Sequence, residues 1–263
     1  LANALSKAGV RVGIATRGYK GKESNSMPYI LDETSKAQDY GDEAVYLSRH
    51  SNAIVCVCSQ RLNAANLLFE RGVDVILSDD GLQHFALKRD LELAVVSSNR
   101  AFGNRRLLPA GPLREGLDRL HTIDFICLNG KKIDEDLHLE NTIGFEIENN
   151  TVKNIHNGQI RSIDAFINYD VNLIAGIGDP NVLIQKLIKL GININHIKVE
   201  DHGVIDSSEI KNLQGRPLFL TPKDLVKYSK DDLPTETWEL IPEMMIDQSQ
   251  EQSMMNKIFE IIQ

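Results

Sequence analysis

Hydrophobic residues in this chain recur as short runs that alternate with amphipathic segments. Runs of β-branched and aliphatic residues predict a first set of strands at 10–16, 27–31, 53–59, 73–77, 91–97 and 123–129. Residues 61–71 are rich in Ala and Leu and stop before Gly72, which predicts a helix, and residues 37–47 predict a loop that leads into another. Strands that alternate with helices are typical of a doubly wound α/β fold with a mostly parallel sheet.

The pattern changes between residues 144 and 168, where short polar segments carry turn signals at Asn149-Asn150 and Asn157-Gly158. Such signals predict a β-hairpin linker. A second α/β series follows, with strands predicted at 171–177, 196–200, 217–221 and 235–240, and helices at 180–190 and near Ser207 and Asp224. We therefore predict a first domain at 1–143, a linker at 144–168 and a smaller α/β domain at 169–263.

The first residues predict a helix, because Leu1, Ala4, Leu5 and Ala8 form one apolar stripe and Gly9 follows as a helix terminator. This helix has neither an N-cap residue nor a strand before it. We expect that the chain begins inside a helix and that a preceding segment is missing.

Composition describes a globular protein, with 42% hydrophobic and 25% charged residues. The formal charge of −8 argues weakly against a general surface for nucleic acid or anionic membranes. Cys56, Cys58 and Cys127 lie in apolar strand-like runs, and no second Cys pair completes a zinc site. The cysteines therefore predict core packing in a reducing compartment. No apolar run approaches the roughly 20 residues of a membrane span, and no signal peptide is visible.

Two carboxylates, Asp79 and Asp80, and then Gly81 directly follow the strand predicted at 73–77, whose residues suit a strand buried on both faces. Ligands of open α/β sheets bind beyond the carboxyl ends of strands, and P-loop nucleotide enzymes hold Mg²⁺ with an Asp at such an end. A solvated turn with Gly81 at positive φ explains the tripeptide about equally well. Both interpretations stay open for these residues alone.

Other candidate motifs also have a structural alternative. Gly18-Tyr-Lys-Gly21-Lys22-Glu23 is not a Walker A loop, because its glycines are three apart and Glu23 replaces the Ser or Thr. Asp42 and Glu43 follow Gly41, and they suit either the first turn of a helix or a functional site. His202 beside Asp201 is a candidate for proton transfer. Residues 99–115 form a long turn-rich connection whose arginines suit either anion binding or a solvated loop: Arg100, Arg105, Arg106 and Arg114.

These motifs together strongly resemble the tetraacyldisaccharide 4′-kinase family, the lipid A 4′-kinases of Gram-negative bacteria. The most specific part runs from Asp79-Asp-Gly-Leu-Gln-His84 through Arg89-Asp90 and Arg100-Ala-Phe-Gly-Asn104 to Leu107-Leu-Pro-Ala-Gly-Pro-Leu-Arg114-Glu115. Further matches are Thr16-Arg-Gly-Tyr19, Gly41-Asp-Glu43, Ala175-Gly-Ile-Gly-Asp-Pro180, Asp201-His202 and Thr221-Pro-Lys-Asp-Leu-Val-Lys227. The resemblance covers nearly the whole chain.

The resemblance implies a P-loop kinase that transfers the γ-phosphate of ATP to the 4′-hydroxyl of an acylated glucosamine disaccharide 1-phosphate. Residues 1–143 would form its nucleotide-binding domain. The acylated lipid substrate implies work at the inner-membrane surface, on its cytoplasmic face. Family members begin with a hydrophobic anchor helix and a P-loop, both absent from this chain, so we expect the 263 residues alone to be nearly inactive.

The same resemblance implies roles for individual residues. Asp79 and Asp80 would bind Mg²⁺ directly or through water, Asp42 would act as the base on the sugar hydroxyl, and His202 would orient Asp42. Domain closure would bring Asp42 and His202 together. Further candidates for metal, phosphate or substrate contacts are Glu43, Arg61, Gln83, His84, Arg114 and Glu115.

The chain departs from the usual family pattern at four positions. Thr16 stands where the family usually has Ser, and Lys20 where it has Gly. Ala44 stands where it has Pro, and Pro222 where it has Glu. Two other functional classes remain as alternatives. One is a metal-dependent hydrolase with Asp79, Asp80 and His84 as ligands. The other is a non-catalytic nucleotide-binding relative of the partitioning ATPases.

Overall fold

The computed structural model describes residues 1–22, 27–98, 101–130, 139, 141–199, 203–213 and 215–262. Contacts between residues divide the chain into two compact units. The first contains Leu1–Asp79 and Asn149–Pro242, and the second contains Asp80–Glu148 and Glu243–Gln263. The functional division predicted from the sequence, at 1–143, 144–168 and 169–263, stays a prediction.

The N-terminal part of the first unit is an α/β layer with a four-stranded sheet. Its elements are α1 (Ala2–Lys7), β1 (Val12–Thr16), β2 (Tyr29–Ile30), α2 (Ala37–Tyr40), α3 (Asp42–His50), β3 (Ile54–Val57), α4 (Arg61–Glu70) and β4 (Val75–Ser78). The strand order is β2-β3-β1-β4, with β1, β3 and β4 parallel and β2 antiparallel to β3. This arrangement confirms the predicted α/β class for this part of the chain.

All five residues of β1 are buried, because helices cover both faces of the sheet at this strand. On one face Ala15 and Cys56 pack against Leu68 of α4. On the other face Ile14 packs in a cluster that includes Val45 of α3. By contrast β4, which was predicted to be buried on both faces, is half-buried and ends the strand order, because it pairs with β1 on one side only in the described sheet.

The three cysteines confirm the prediction of core packing. Cys56 and Cys58 are fully buried, Cys127 is half-buried, and all three are free thiols. Burial raises the pKa of Cys56 to about 11, so that this thiol stays protonated at neutral pH.

The C-terminal part of the first unit contains a parallel sheet in the order β10-β9-β11-β12. Its elements are β9 (Asp170–Ile174), α5 (Pro180–Lys189), β10 (Asn193–Ile197), α6 (Ser207–Lys211), β11 (Leu218–Leu220), α7 (Pro222–Leu225) and β12 (Thr237–Ile246). Pro180 and Pro222 both stand in the first turn of their helices, where a missing N–H costs no hydrogen bond. Phe166, Phe219 and Trp238 form the aromatic centre of its core, with edge-on ring contacts at 5.0 and 5.1 Å.

The predicted β-hairpin is present. β7 (Thr142–Asn154) and β8 (Ile160–Ser162) pair antiparallel, with Thr151 opposite Ser162. Asn149 and Asn150, where the sequence carries a turn signal, lie inside β7. Three later strands differ from their predicted bounds by three residues or more. The strand expected at 171–177 lies at Asp170–Ile174, the strand expected at 196–200 lies at Asn193–Ile197, and the strand expected at 235–240 continues to Ile246.

The second unit contains β5 (Leu93–Ser97) and β6 (Phe125–Asn129), which pair parallel to each other and to the N-terminal half of β7. A 3₁₀ helix at Leu117–Thr122 lies between β5 and β6. The long helix α8 (Gln248–Ile262), which was not predicted, buries Met254, Met255 and Ile258. Among the described residues, none of the helices combines the length and the apolar character that a membrane span needs.

The packing of α4 leads to a stability prediction. Leu68 is fully buried and packs closely against Gly13 of β1. A Cβ atom added to Gly13 would lie 3.1 Å from both Cδ1 and Cδ2 of Leu68. We expect Leu68→Ala to lower the free energy of unfolding by about 2–5 kcal/mol, because it leaves a cavity beneath β1. Leu62→Ala on the same helix is the control, since Leu62 is 43% exposed and should change stability by about 0.5 kcal/mol or less. Equal losses for the two variants in urea unfolding would contradict this packing.

Candidate functional site

The carboxyl ends of β1 and β4 lie side by side and position Asp79. Ala15 of β1 pairs with Ser78 of β4, so that Thr16 and Asp79 follow as neighbours. The Asp79 amide donates to the carbonyl of Ala15 at 3.0 Å, and Thr16 Oγ1 donates to Asp79 Oδ2 at 3.0 Å. Asp79 thus stands at the strand end where the sequence predicts a Mg²⁺ ligand, with its carboxylate oriented by a buried threonine.

Arg61 supports the same strand end. Arg61 is 3% exposed, and its Nη2 donates to the carbonyl oxygen of Asp79 at 2.5 Å. The contact joins the first residue of α4 to the chain just after β4. The structure therefore places Arg61, a predicted phosphate or metal contact, against the backbone of Asp79.

Asp42 is the first residue of α3, and close backbone packing determines where it lies. Gly41 has φ 89°, and a Cβ atom there would lie 2.6 Å from the carbonyl oxygen of Tyr19. The loop after β1 therefore packs directly on the turn before α3 only because residue 41 is glycine. Lys20, which stands where the family usually has Gly, also has positive φ, at 60°.

The Asp42 carboxylate is 5% exposed and belongs to a buried charge cluster. Its Oδ1 accepts the Glu43 amide at 2.9 Å, and its Oδ2 lies 3.6 Å from Lys227 Nζ. Lys227 Nζ also lies 2.8 Å from Asp224 Oδ1. Asp224 and Lys227 thus bring the Thr221–Lys227 segment to the start of α3.

Glu43, the next residue of α3, makes a parallel contact with the same segment. Its Oε1 lies 2.9 Å from Lys223 Nζ. Two lysines of one short segment therefore pair with the two acids that follow Gly41.

Sequence reasoning missed Asp224 and Lys227 as site residues. An Asp and a Lys three positions apart usually form a solvated pair on a helix surface, whereas here both side chains are at most 3% exposed. The one signal in the sequence was the resemblance of Thr221–Lys227 to a family motif.

Three candidate residues of the second unit contact one another. Gln83 Nε2 donates to Glu115 Oε1 at 3.1 Å, and Arg114 Nη1 donates to Gln83 Oε1 at 3.0 Å. The amide of Gln83 therefore links a cation and an anion that are adjacent in sequence.

Ion pairs extend this network. Arg119 contacts both Glu115, at 3.4 Å, and Glu92, at 2.6 Å, and Glu92 contacts Arg89 at 2.6 Å. Burial acts to raise the pKa of Glu92, but hydrogen bonds from Arg119 and Arg89 hold it below its usual value. Arg119 thus connects the loop that carries Arg114 and Glu115 to Glu92, the residue directly before β5.

The remaining candidates are placed as follows. Asp80 is exposed and has φ 49°, a left-handed conformation in which Asp is tolerated. His84 is half-buried, and its amide donates to the carbonyl of Gly81 at 2.9 Å. Arg105 and Arg106 are exposed. The predicted sites at Arg100, Asp201 and His202 lie outside the described residues.

The donor set at the end of β4 fits Mg²⁺. Carboxylate and hydroxyl oxygens are hard ligands, and Mg²⁺ is usually bound by one or two carboxylates, waters and substrate phosphates. Within the described ranges no group of three or more His, Cys, Asp or Glu side chains is arranged to hold a metal ion. The alternative of a hydrolase with Asp79, Asp80 and His84 as its ligand set thus gains no support.

Comparison with known proteins decides the family. Residues 1–260 match the family described as LpxK: Tetraacyldisaccharide-1-P 4'-kinase. The chain belongs to this family. The resemblance found in the sequence motifs is thereby confirmed over almost the full length.

Individual relatives agree with the LpxK assignment. The tetraacyldisaccharide 4'-kinase of Aliivibrio fischeri (strain MJ11) is 36% identical over 264 residues, which cover 99% of this chain and 78% of the relative. The protein of the same name from Vibrio cholerae serotype O1 (strain ATCC 39315 / El Tor Inaba N16961) is 35% identical over 266 residues. The match covers 100% of this chain and 76% of the length of that relative.

A solved structure supports the fold. The crystal structure of LpxK from Aquifex aeolicus in complex with ATP superimposes with a TM-score of 0.76 and 24% identity, and covers 99% of this chain and 81% of that one. The α/β architecture with a mixed, mostly parallel sheet is therefore an LpxK fold.

Gly176 provides a test of the charge cluster. Its amide donates to Asp224 Oδ2 at 2.7 Å, and a Cβ atom on it would lie 2.7 Å from Asp224 Oδ1. We expect Gly176→Ala to displace the Asp224 carboxylate and to lower the free energy of unfolding by about 1–3 kcal/mol. The control is Gly178→Ala, two residues along the same segment, where no atom lies within 4 Å of the added carbon. Thermal unfolding that ranks Gly178→Ala as the more damaging change would refute the described packing.

Proposed function

We propose that the protein containing this chain transfers the γ-phosphate of ATP to the 4′-hydroxyl of a tetraacylated glucosamine disaccharide 1-phosphate, a step of lipid A biosynthesis. The observation that carries this proposal is the family match over residues 1–260. Relatives named tetraacyldisaccharide 4'-kinase, 35–36% identical over the length of the chain, support it.

Asp79 and Asp80 are proposed to hold Mg²⁺, directly or through water. The orientation of the Asp79 carboxylate by Thr16 supports this role, because the hydrogen bond reduces the freedom that a metal ligand would lose on binding. When bound, Mg²⁺ neutralises charge that develops on the phosphate oxygens during transfer. Arg61 serves this position by holding the carbonyl of Asp79.

Asp42 is proposed as the general base that accepts the proton of the 4′-hydroxyl. Its place at the first position of a helix and its contacts with the Glu43 amide and Lys227 support a fixed carboxylate there. A fixed base avoids reorganisation when the proton moves. His202 is proposed to orient Asp42 or adjust its basicity, as the family resemblance implies.

The other candidates are proposed to contact phosphate or substrate groups. Arg114, which Gln83 holds beside Glu115, presents a guanidinium group suited to phosphate oxygens. Glu43 and His84 are assigned to the same group of contacts, on the strength of the family resemblance.

The proposed partners are ATP, the acylated disaccharide and the surface of the inner membrane. A lipid with several acyl chains stays in a bilayer, because each buried CH₂ contributes about 0.8 kcal/mol to membrane binding. We therefore propose that the reaction takes place at the cytoplasmic face of the inner membrane, where ATP is available.

Substitution of Asp42 tests the proposed base. In the full-length protein, Asp42→Asn should lower kcat by about 10²–10⁴-fold, because an amide cannot accept the hydroxyl proton, and should leave the KM for ATP nearly unchanged. The measurement is transfer of labelled γ-phosphate to the acylated disaccharide with saturating Mg²⁺.

Asp231→Asn is the matched control, since Asp231 is an exposed acid of the same unit with no assigned role. It should keep the parent kcat. An Asp42→Asn enzyme with a kcat within about threefold of the parent would exclude Asp42 as the base.

A further inference from the structure

Lys227 is a buried lysine held by two carboxylates. Its side chain is 3% exposed, and Nζ lies 2.8 Å from Asp224 Oδ1 and 3.6 Å from Asp42 Oδ2. Nζ also donates to the carbonyl of Gly203 at 3.4 Å. Lysines are seldom buried unless they are paired. A buried lysine with two carboxylate contacts therefore suggests a role other than solubility for Lys227.

Asp224 has anchors of its own that do not involve Lys227. Its Oδ2 accepts the Gly176 amide at 2.7 Å and the Thr221 hydroxyl at 2.6 Å. Its amide in turn donates to Thr221 Oγ1 at 3.3 Å, which caps α7. Asp224 is therefore a fixed anion, and it fixes the ammonium group of Lys227 at a defined distance from Asp42.

The distances indicate how the charge is shared. Lys227 is closer to Asp224 than to Asp42 by 0.8 Å, from 2.8 and 3.6 Å, so its charge is balanced mainly by Asp224. Lys227 thus contacts both carboxylates, and its shorter contact, with Asp224, fixes the ammonium group beside Asp42.

We infer that Lys227 is a positioning residue that holds the Asp42 carboxylate for proton transfer, with Asp224 as its counter-charge; this inference rests on the proposed function. As the 4′-oxygen bonds to the γ-phosphorus and the bond from phosphorus to the β,γ-bridging oxygen breaks, Asp42 takes the hydroxyl proton and ADP leaves with the bond electrons. Asp42 becomes neutral, and Lys227 and Asp224 remain as a balanced pair.

Removal of the ammonium group is the first test. In the full-length enzyme, Lys227→Met should lower kcat for phosphate transfer by about 10–100-fold and leave the KM for ATP within about twofold, because the loss concerns the chemical step. Lys211→Met is the control, since Lys211 is a half-exposed lysine of the same unit that pairs with Asp232 at 3.5 Å. It should keep the parent kcat. An unchanged kcat in Lys227→Met, or a loss confined to KM, would overturn the inference.

A second variant separates positioning from charge balance. Lys227→Met leaves Asp224 buried without its cation, whereas the double variant Lys227→Met/Asp224→Asn removes both charges of that pair. We expect the double variant to recover the parent melting temperature but to keep the low kcat. A double variant with the parent kcat would show that Lys227 only neutralises Asp224. Loss of folding in both variants would assign Lys227 a structural role, and either result overturns the inference.

Combination with Asp42→Asn distinguishes this inference from the proposed function. If Lys227 acts through Asp42, then Asp42→Asn/Lys227→Met should be no slower than Asp42→Asn alone. Multiplied losses in the double variant would overturn the role of Lys227 and leave Asp42 as the base. A parent-like kcat in Asp42→Asn would instead remove the base from the proposed function, whatever the result at Lys227.

Discussion

The buried contact between Asp42, Lys227 and Asp224 is the interaction on which the site in the first unit depends. Asp42 is the first residue of α3, in the N-terminal part of that unit. Asp224 lies in α7, and Lys227 lies two residues after the end of this helix. Buried charges are costly unless they are paired and hydrogen-bonded. The cluster meets this condition, because the Glu43 amide donates to Asp42 and the Gly176 amide donates to Asp224. The start of α3, Gly176 and α7 therefore all contribute to the pairing of these buried charges.

Backbone constraints place the same carboxylate with respect to the sheet. The loop after β1 packs on Gly41 without room for a side chain, which brings the start of α3 next to the carboxyl end of β1. Thr16 at that strand end binds Asp79, which follows the neighbouring strand β4. The loop after β1 therefore helps to position the proposed base, and the last residue of β1 helps to position a proposed Mg²⁺ ligand. In open α/β sheets, ligands bind beyond the carboxyl ends of the parallel strands.

Much of the fold could be predicted from the sequence because the strands are short apolar runs with clear terminators. β1, β3, α4 and α5 lie within three residues of their predicted ends. The helix α8 could not be predicted in this way, since its apolar residues are separated by a polar, Gln-rich sequence and bury only one narrow face. β4 shows a different limit: its composition suits full burial, but the pairing of a strand depends on the whole sheet. The site showed the same division, because motifs indicated Asp42 and Asp79, whereas the burial of Lys227 arises from tertiary packing alone.

The most direct test of this account is the position of Asp42 in a crystal structure of the full-length protein with Mg²⁺, a non-hydrolysable ATP analogue and the intact acylated disaccharide. The account predicts an Asp42 carboxylate oxygen within hydrogen-bonding distance of the 4′-oxygen, about 2.6–3.2 Å, while Lys227 stays between Asp42 and Asp224. A complex in which Asp42 contacts Lys227 but another side chain binds the 4′-hydroxyl would contradict it.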